Sequence, residues 1–267
     1  NAQVQIGKDE WLFYRDNNML QQSAGLLVRE SRVIESAETI ASIKATLSWR
    51  GIKFIVALPP NSSTIYSDML PQWARNRGQQ TEYDLMLVAL ADRDIQAVDL
   101  RPPLRNARAS GKVYFQYDTH WNARGAVAAF NAVASAAGHA GWQLDPAIVL
   151  APATQTSGGD LARMLGIAQD VAEQTEALTL TTDAPKSPGT PIILVLGDSF
   201  TRTLFSPMVI VNGGQFAFAD HEFCDFDWKW IEKIHPDEVW WMPTERLLLC
   251  NPGTIPESMP AANQSVE

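Results

Sequence analysis

Three short runs constrain the fold most: FIVAL (54–58), IILVL (192–196) and EVWWM (238–242). A strand with one wet face alternates apolar and polar residues. These runs do not alternate, so both of their faces must be covered, which is the mark of a parallel sheet between helices. Segments of helical period lie between them: SAETIASIKATLSWRG closes at Gly51, TEYDLMLVALADRD follows, and Asn122 can cap NARGAVAAFNAVASAAG, with Val127, Phe130 and Val133 on one face. Strands alternating with helices give an α/β class with a mostly parallel sheet. GKDEWLFYRDN reads as a turn and a short aromatic strand, and KVYFQ and MVIVNGG as two further short strands.

The chain has 267 residues, 46% of them hydrophobic, enough to bury the core of one large domain. We read it as a single domain over 1–267, with an irregular excursion at about 151–190 and a polar tail at about 251–267. Net charge is −9 and no basic run occurs, which argues against a nucleic-acid partner. No apolar run approaches the length of a membrane span. The chain starts at Asn1 without an initiator Met, consistent with removal of a leader or anchor. Of its two cysteines, Cys224 and Cys250, spacing alone allows a disulfide or two buried thiols.

In an open α/β sheet, reactive groups collect where strands end. GDSF follows IILVL directly, placing Ser199 between a buried strand and a helix start. There its hydroxyl can be exposed and the helix N-terminus favours developing negative charge. The competing structural role for Ser199 is simply to cap that helix. A serine nucleophile needs a base, and the base needs an orienting acid. The chain has four histidines. His139 reads as a surface residue, His235 sits before Pro236 in a turn, and His221 lies in a polar loop after a strand. His120 has Asp118 two residues before it, in YDTHWN. In an extended segment, residues two apart project to one side. Asp118, His120 and Ser199 are therefore the candidate triad, although an Asp-x-His pair also occurs as an ordinary surface ion pair.

With GDSF, the chain resembles the SGNH/GDSL esterases and acetyltransferases. In most of that superfamily the acid and base follow the serine as D-x-x-H. Here DTHW precedes GDSF, and GKDEWLFY stands near the start, so the chain resembles the alginate O-acetyltransferase (AlgJ/AlgX-type) branch. The resemblance runs from about Gly7 to Leu249. It implies an SGNH-like three-layer sandwich with a circularly permuted order of motifs. It places Gly213 or Gly214 at the glycine block, as oxyanion donors beside the Ser199 amide. Thr244, Glu245 and Arg246 fall where the superfamily's asparagine sits, with Arg246 as a substrate contact or as an ion pair to Glu245. Tyr117 and Trp121 adjoin the acid–base pair and are expected at the acceptor site. The implied activity is acetyl transfer through acetyl-Ser199 to hydroxyls of an exported, alginate-like polysaccharide, in the periplasm, with no metal or organic cofactor. The implied acetyl donor is supplied by a membrane acyltransferase. Two other activities share these motifs: an acetyl esterase, and a non-catalytic polysaccharide-binding subunit. Export makes a Cys224–Cys250 bridge the expected state of the cysteines.

Overall fold

The computed structural model describes residues 2–181, 189–221 and 223–251. A hairpin of β1 (Val4–Ile6) and β2 (Leu12–Tyr14) opens the chain. Then come β3 (Lys53–Leu58) and the two-residue β4 (Val98–Asp99). A second antiparallel hairpin, β5 (Thr154–Ser157) with β6 (Ala172–Thr175), precedes β7 (Ile192–Gly197), β8 (Gln215–Asp220) and β9 (Glu238–Met242). The central sheet runs β4–β3–β9–β7–β8, and every pair in it is parallel.

Both sheet faces are buried, as the unbroken apolar runs require. Along β9, Trp240 and Met242 enter one core with Phe130, Phe205 and Val127. Val239 and Trp241 enter the other with Ile40, Leu47 and Tyr83. The first core is roofed by helices Arg101–Arg108, Ala123–Ala136 and Phe205–Val211. The second is roofed by Glu30–Trp49, Glu82–Ala91 and Lys229–Ile234. This gives the expected three layers. The helix starts follow their caps: Thr81 forms a capping box with Asp84, and the Asn122 side chain accepts from the Gly125 amide at 3.1 Å. None of the helices in the described residues is long and apolar enough to cross a membrane.

Three local readings change. FSPMVIV is helix Phe205–Val211, and the strand is the next segment, QFAFAD. A short apolar run fits either state, and here the core it must cover lies on a sheet face. KVYFQ contributes only an isolated bridge, Tyr114 to Trp121, that closes a loop. The excursion holds the β5–β6 hairpin and helix Asp160–Leu165. The β5 residues are all polar and exposed, so no alternating pattern announced them. Residues 182–188 and 252–267, the latter nearly all of the expected tail, lie outside the described residues.

Cys224 and Cys250 are joined by a disulfide, with Cα atoms 4.8 Å apart and a sequence separation of 26. The bridge ties the segment after β8 to the segment after β9. A loop of that size corresponds to about 3 kcal/mol of chain-entropy stabilisation.

Candidate active site

The C-terminal ends of β3, β7 and β9 lie side by side, because Gly197 pairs with Met242 and Val56 with Trp241. Loops from these ends therefore share one rim. Ser199 stands on it, exposed, at the first position of helix Ser199–Arg202. Asp198, not Ser199, caps that helix: its Oδ1 accepts from the Phe200 amide at 3.0 Å. Its Oδ2 accepts from the Thr244 amide at 3.1 Å and the Thr244 hydroxyl at 2.7 Å. Capping by the neighbour leaves the serine hydroxyl for other work. Gly197 is required by close approach, since a Cβ there would lie 2.1 Å from Thr201 Oγ1.

The acid–base loop reaches this rim from before helix Ala123–Ala136. The Asn122 amide donates to the Val113 carbonyl at 3.1 Å and the Phe115 amide to the His120 carbonyl at 3.2 Å, pinching residues 114–121 into a tight loop. Asp118, His120 and Ser199 meet there. His120 Nδ1 lies 2.6 Å from Asp118 Oδ1, and Nε2 lies 2.8 Å from Ser199 Oγ. Burial raises the Asp118 pKa, but hydrogen bonds and charge from His120, with the Asp160 and His120 amides, outweigh it and the net shift is downward. An ionised Asp118 only accepts, so Nδ1 must carry the proton and donate to it. Nε2 is then left as an acceptor for the serine hydroxyl.

Asp160 was missed in the sequence, although the Gly158–Gly159 pair before it marks an unusual backbone. Its amide donates to Asp118 Oδ2 at 2.8 Å. Its carboxylate accepts from the Thr119 amide at 2.8 Å and from the Thr119 hydroxyl at 2.5 Å. Asp118, His120 and Asp160 each place a ligand-type atom within 4.8 Å of the others. All three are already engaged in these hydrogen bonds.

The other expected site residues separate. Gly213 and Gly214 precede β8, and β8 runs parallel to β7, so they lie at the opposite end of the sheet from Ser199. Their amides donate to the Ile210 and Val209 carbonyls at 3.0 Å each, closing helix Phe205–Val211. They cannot serve as oxyanion donors, and the misplacement follows from taking MVIVNGG for a strand. Trp121 is 1% exposed, donates from Nε1 to the Phe200 carbonyl at 2.8 Å, and stacks on Phe205. It holds the turn after Ser199 through that bond and is buried away from the rim. Tyr117 is buried with Val4, Leu12, Leu161 and Ala162, and packs beside the site. Arg246 does reach the rim: its guanidinium lies 5.1 Å from the Phe200 ring centroid, one of its terminal nitrogens is buried without a partner, and it forms no ion pair among the described residues. Glu245 is bonded instead to the Asn61 amide at 2.8 Å and the Thr64 hydroxyl at 2.6 Å.

The rival histidines are occupied elsewhere. His221 is 2% exposed and its Nε2 accepts from the Cys224 amide at 3.1 Å. Burial pushes its pKa down to about 4. His139, expected at the surface, is half-buried, lies 2.9 Å from Glu238 and stacks on Trp142.

Glu245 provides a first prediction. Burial raises its pKa to about 7 against the opposing bonds from Thr64 and Asn61. The folded chain thus holds a proton that the unfolded chain releases near 4.5, so this group's contribution to stability falls as pH rises from 4.5 to about 7. Glu245→Gln should match the wild type in melting temperature at pH 4 and exceed it at pH 8. A gap that does not grow between those pH values contradicts the assignment.

A doubly wound parallel sheet with a strand-end serine, met by a histidine and an acid from a separate rim loop, defines an SGNH-hydrolase-like α/β domain. Residues 4–206 match the family described as SGNH hydrolase-like domain, acetyltransferase AlgX, and the chain belongs to that family. It is 28% identical to the probable alginate O-acetylase AlgJ of Pseudomonas putida over 133 residues, 50% of this chain and 33% of that protein. The chain thus spans about a third of that relative's length. The fold is similar to the O-acetyltransferase domain of Pseudomonas putida AlgJ (TM-score 0.66, 18% identity, 95% of each chain covered). It is also similar to Bacillus cereus PatB1 (TM-score 0.63, 16% identity, 94% and 98% covered).

Proposed function

We propose that this chain is a serine O-acetyltransferase that moves an acetyl group onto hydroxyls of an exported, alginate-like polysaccharide. The observation that carries this reading is the continuous hydrogen-bonded line from Asp118 through His120 to an exposed Ser199. Ser199 Oγ attacks the acetyl carbonyl of the donor as its proton moves to His120 Nε2. The imidazolium, held by Asp118, then protonates the leaving group, and acetyl-Ser199 remains. A sugar hydroxyl gives its proton to His120, attacks the acetyl-serine and leaves as the acetate ester, restoring Ser199. The Ser199 amide at its helix start is the first oxyanion donor, and the cationic Arg246, with its unpartnered nitrogen, is the second at the rim. No step calls for a metal or organic cofactor.

The name of the P. putida relative supports acetylation of alginate as the reaction class. The disulfide supports an oxidising compartment, the periplasm, where a membrane acyltransferase would supply the acetyl donor. Incubation with an acetyl ester and uronate oligosaccharides, read by mass spectrometry, tests the proposal. Acetylated oligosaccharides are expected. Donor hydrolysis without a mass gain would make the chain an esterase, and binding without donor turnover would make it a non-catalytic subunit.

A further inference from the structure

We propose that Asp160 is a second carboxylate serving the acid–base loop from outside it, a positioning residue that locks Asp118 and His120 and stabilises the imidazolium formed when Ser199 loses its proton. The proposal rests on the triad reading above and adds a residue to it.

The geometry is specific to that loop. Asp160 holds the residue before His120 by both its amide and its hydroxyl, and holds Asp118 through its own main-chain N–H. Asp118, Thr119 and His120 are therefore fixed from outside their own segment. The outer oxygen of Asp160 lies 3.7 Å from His120 Nδ1, and the Thr119 hydroxyl lies 3.2 Å from the same nitrogen. The imidazole thus faces two carboxylates, although it bonds only one.

The backbone around Asp160 is committed to this contact. Gly159 adopts φ 125°, and a Cβ on it would lie 2.1 Å from the Tyr117 carbonyl oxygen. Only glycine permits that approach, which brings the Asp160 amide onto Asp118. The following helix is pressed in place by Leu161 and Ala162, which pack with Val4, Leu12 and Tyr117. The Ala162 amide donates to the Tyr117 carbonyl at 3.2 Å. From the other side, Glu173 of β6 accepts from the Gln116 amide at 2.9 Å. The excursion between helix Ala123–Ala136 and β7 is thus a brace for the acid–base loop.

In the first chemical step the Ser199 O–H bond breaks and its proton passes to Nε2, leaving one positive charge on the ring while Nδ1–H stays directed at Asp118. The charged groups around the ring are Asp118 and Asp160 on the Nδ1 side and Arg246 beyond Phe200, whose ring centroid is 5.1 Å from the imidazole. Tyr14 of the opening hairpin also lies within the electrostatic reach of Asp160 and Arg246. Removing the Asp160 charge leaves Arg246 less opposed, so the imidazolium becomes harder to form.

The test compares wild type, Asp160→Asn and Thr119→Val on 4-nitrophenyl acetate between pH 5 and 9. Asp160→Asn should lower kcat about tenfold or more, leave KM nearly unchanged, and move the acidic limb of the kcat/KM profile down by about half a unit to one unit. Thr119→Val, which removes the hydroxyl's contacts to Asp160 and to His120 Nδ1 but no charge, should lower kcat less and move the limb less than Asp160→Asn does. Asp160→Glu should restore the limb. A folded Asp160→Asn with wild-type kcat and an unmoved limb overturns the proposal while Ser199→Ala remains inactive. If Asp160→Asn does not fold, a wild-type kcat in Thr119→Val overturns it. Full turnover by Ser199→Ala removes the triad itself, and this proposal with it.

Discussion

Ser199→Ala should abolish acetyl-ester turnover, with kcat falling on the order of 10⁴-fold or more. The size follows from the proposed covalent mechanism. In its first step His120 takes the proton of the group it faces, Ser199 Oγ at 2.8 Å. Without the oxygen there is no acyl-enzyme, and only the oxyanion donors and binding contribute. The substitution should leave the fold intact, since the hydroxyl lies on the exposed rim and Asp198 performs the capping. Melting temperatures of variant and wild type should agree within about 2 °C, an exposed side chain being worth only tenths of a kcal/mol. Intact mass spectrometry after a short exposure to an acetyl ester gives an independent check. One acetyl should appear on the wild type and none on the variant. An acetyl adduct that persists in Ser199→Ala would move the nucleophile elsewhere.

Trp240→Ala should be the largest single loss of stability available in the core. Trp240 is fully buried in β9, which lies between β3 and β7. Its ring packs near Phe130 and Trp142, with centroids 6.1 and 6.4 Å away. Its Nε1 donates to the buried Glu238 at 2.9 Å. Truncation removes the ring, opens a cavity and deprives a buried carboxylate of a donor, so about 4 kcal/mol is expected. For a domain of this size that corresponds to a fall in Tm of roughly 10 °C. Trp49→Ala, at a position 77% exposed, should change Tm by no more than about 1 °C. Calorimetry on both variants decides it, and equal shifts would mean that β9 does not carry the core.

The most apolar elements were the most legible. β3, β7 and β9 are uninterrupted apolar runs ending in Pro or Gly, and only a covered parallel sheet accommodates them. Asp118, His120 and Ser199 could be singled out because the acid and the histidine stand two residues apart just before a capped helix, and the serine follows a buried strand. What escaped depended on contacts distant in sequence. Whether MVIV is helix or strand is decided by the sheet face it covers, and reading it as a strand sent Gly213 and Gly214 to the wrong end of the sheet. Trp121 borders His120 in the chain, but its indole turns inward to the Phe200 carbonyl, and adjacency could not show that. Asp160 lies forty-two residues from Asp118 and serves it through a backbone N–H, which has no sequence signature.

The position of β9 also has a bearing on how the chain assembles. It is the last strand in sequence among the described residues and a central one in space, registered against Lys53–Val56 on one side and Ile193–Gly197 on the other. Until it inserts, β3 and β7 present unpaired inner edges, and the two halves of the sheet have no common backbone ladder. Such pairings close the longest loops and form late, while open edges invite association with other chains. The chain emerging N-terminus first would therefore complete its acid–base loop and its nucleophile turn before the strand that holds them together exists. The permuted motif order is thus also a timetable, in which the rim can close only when nearly the whole domain has been made.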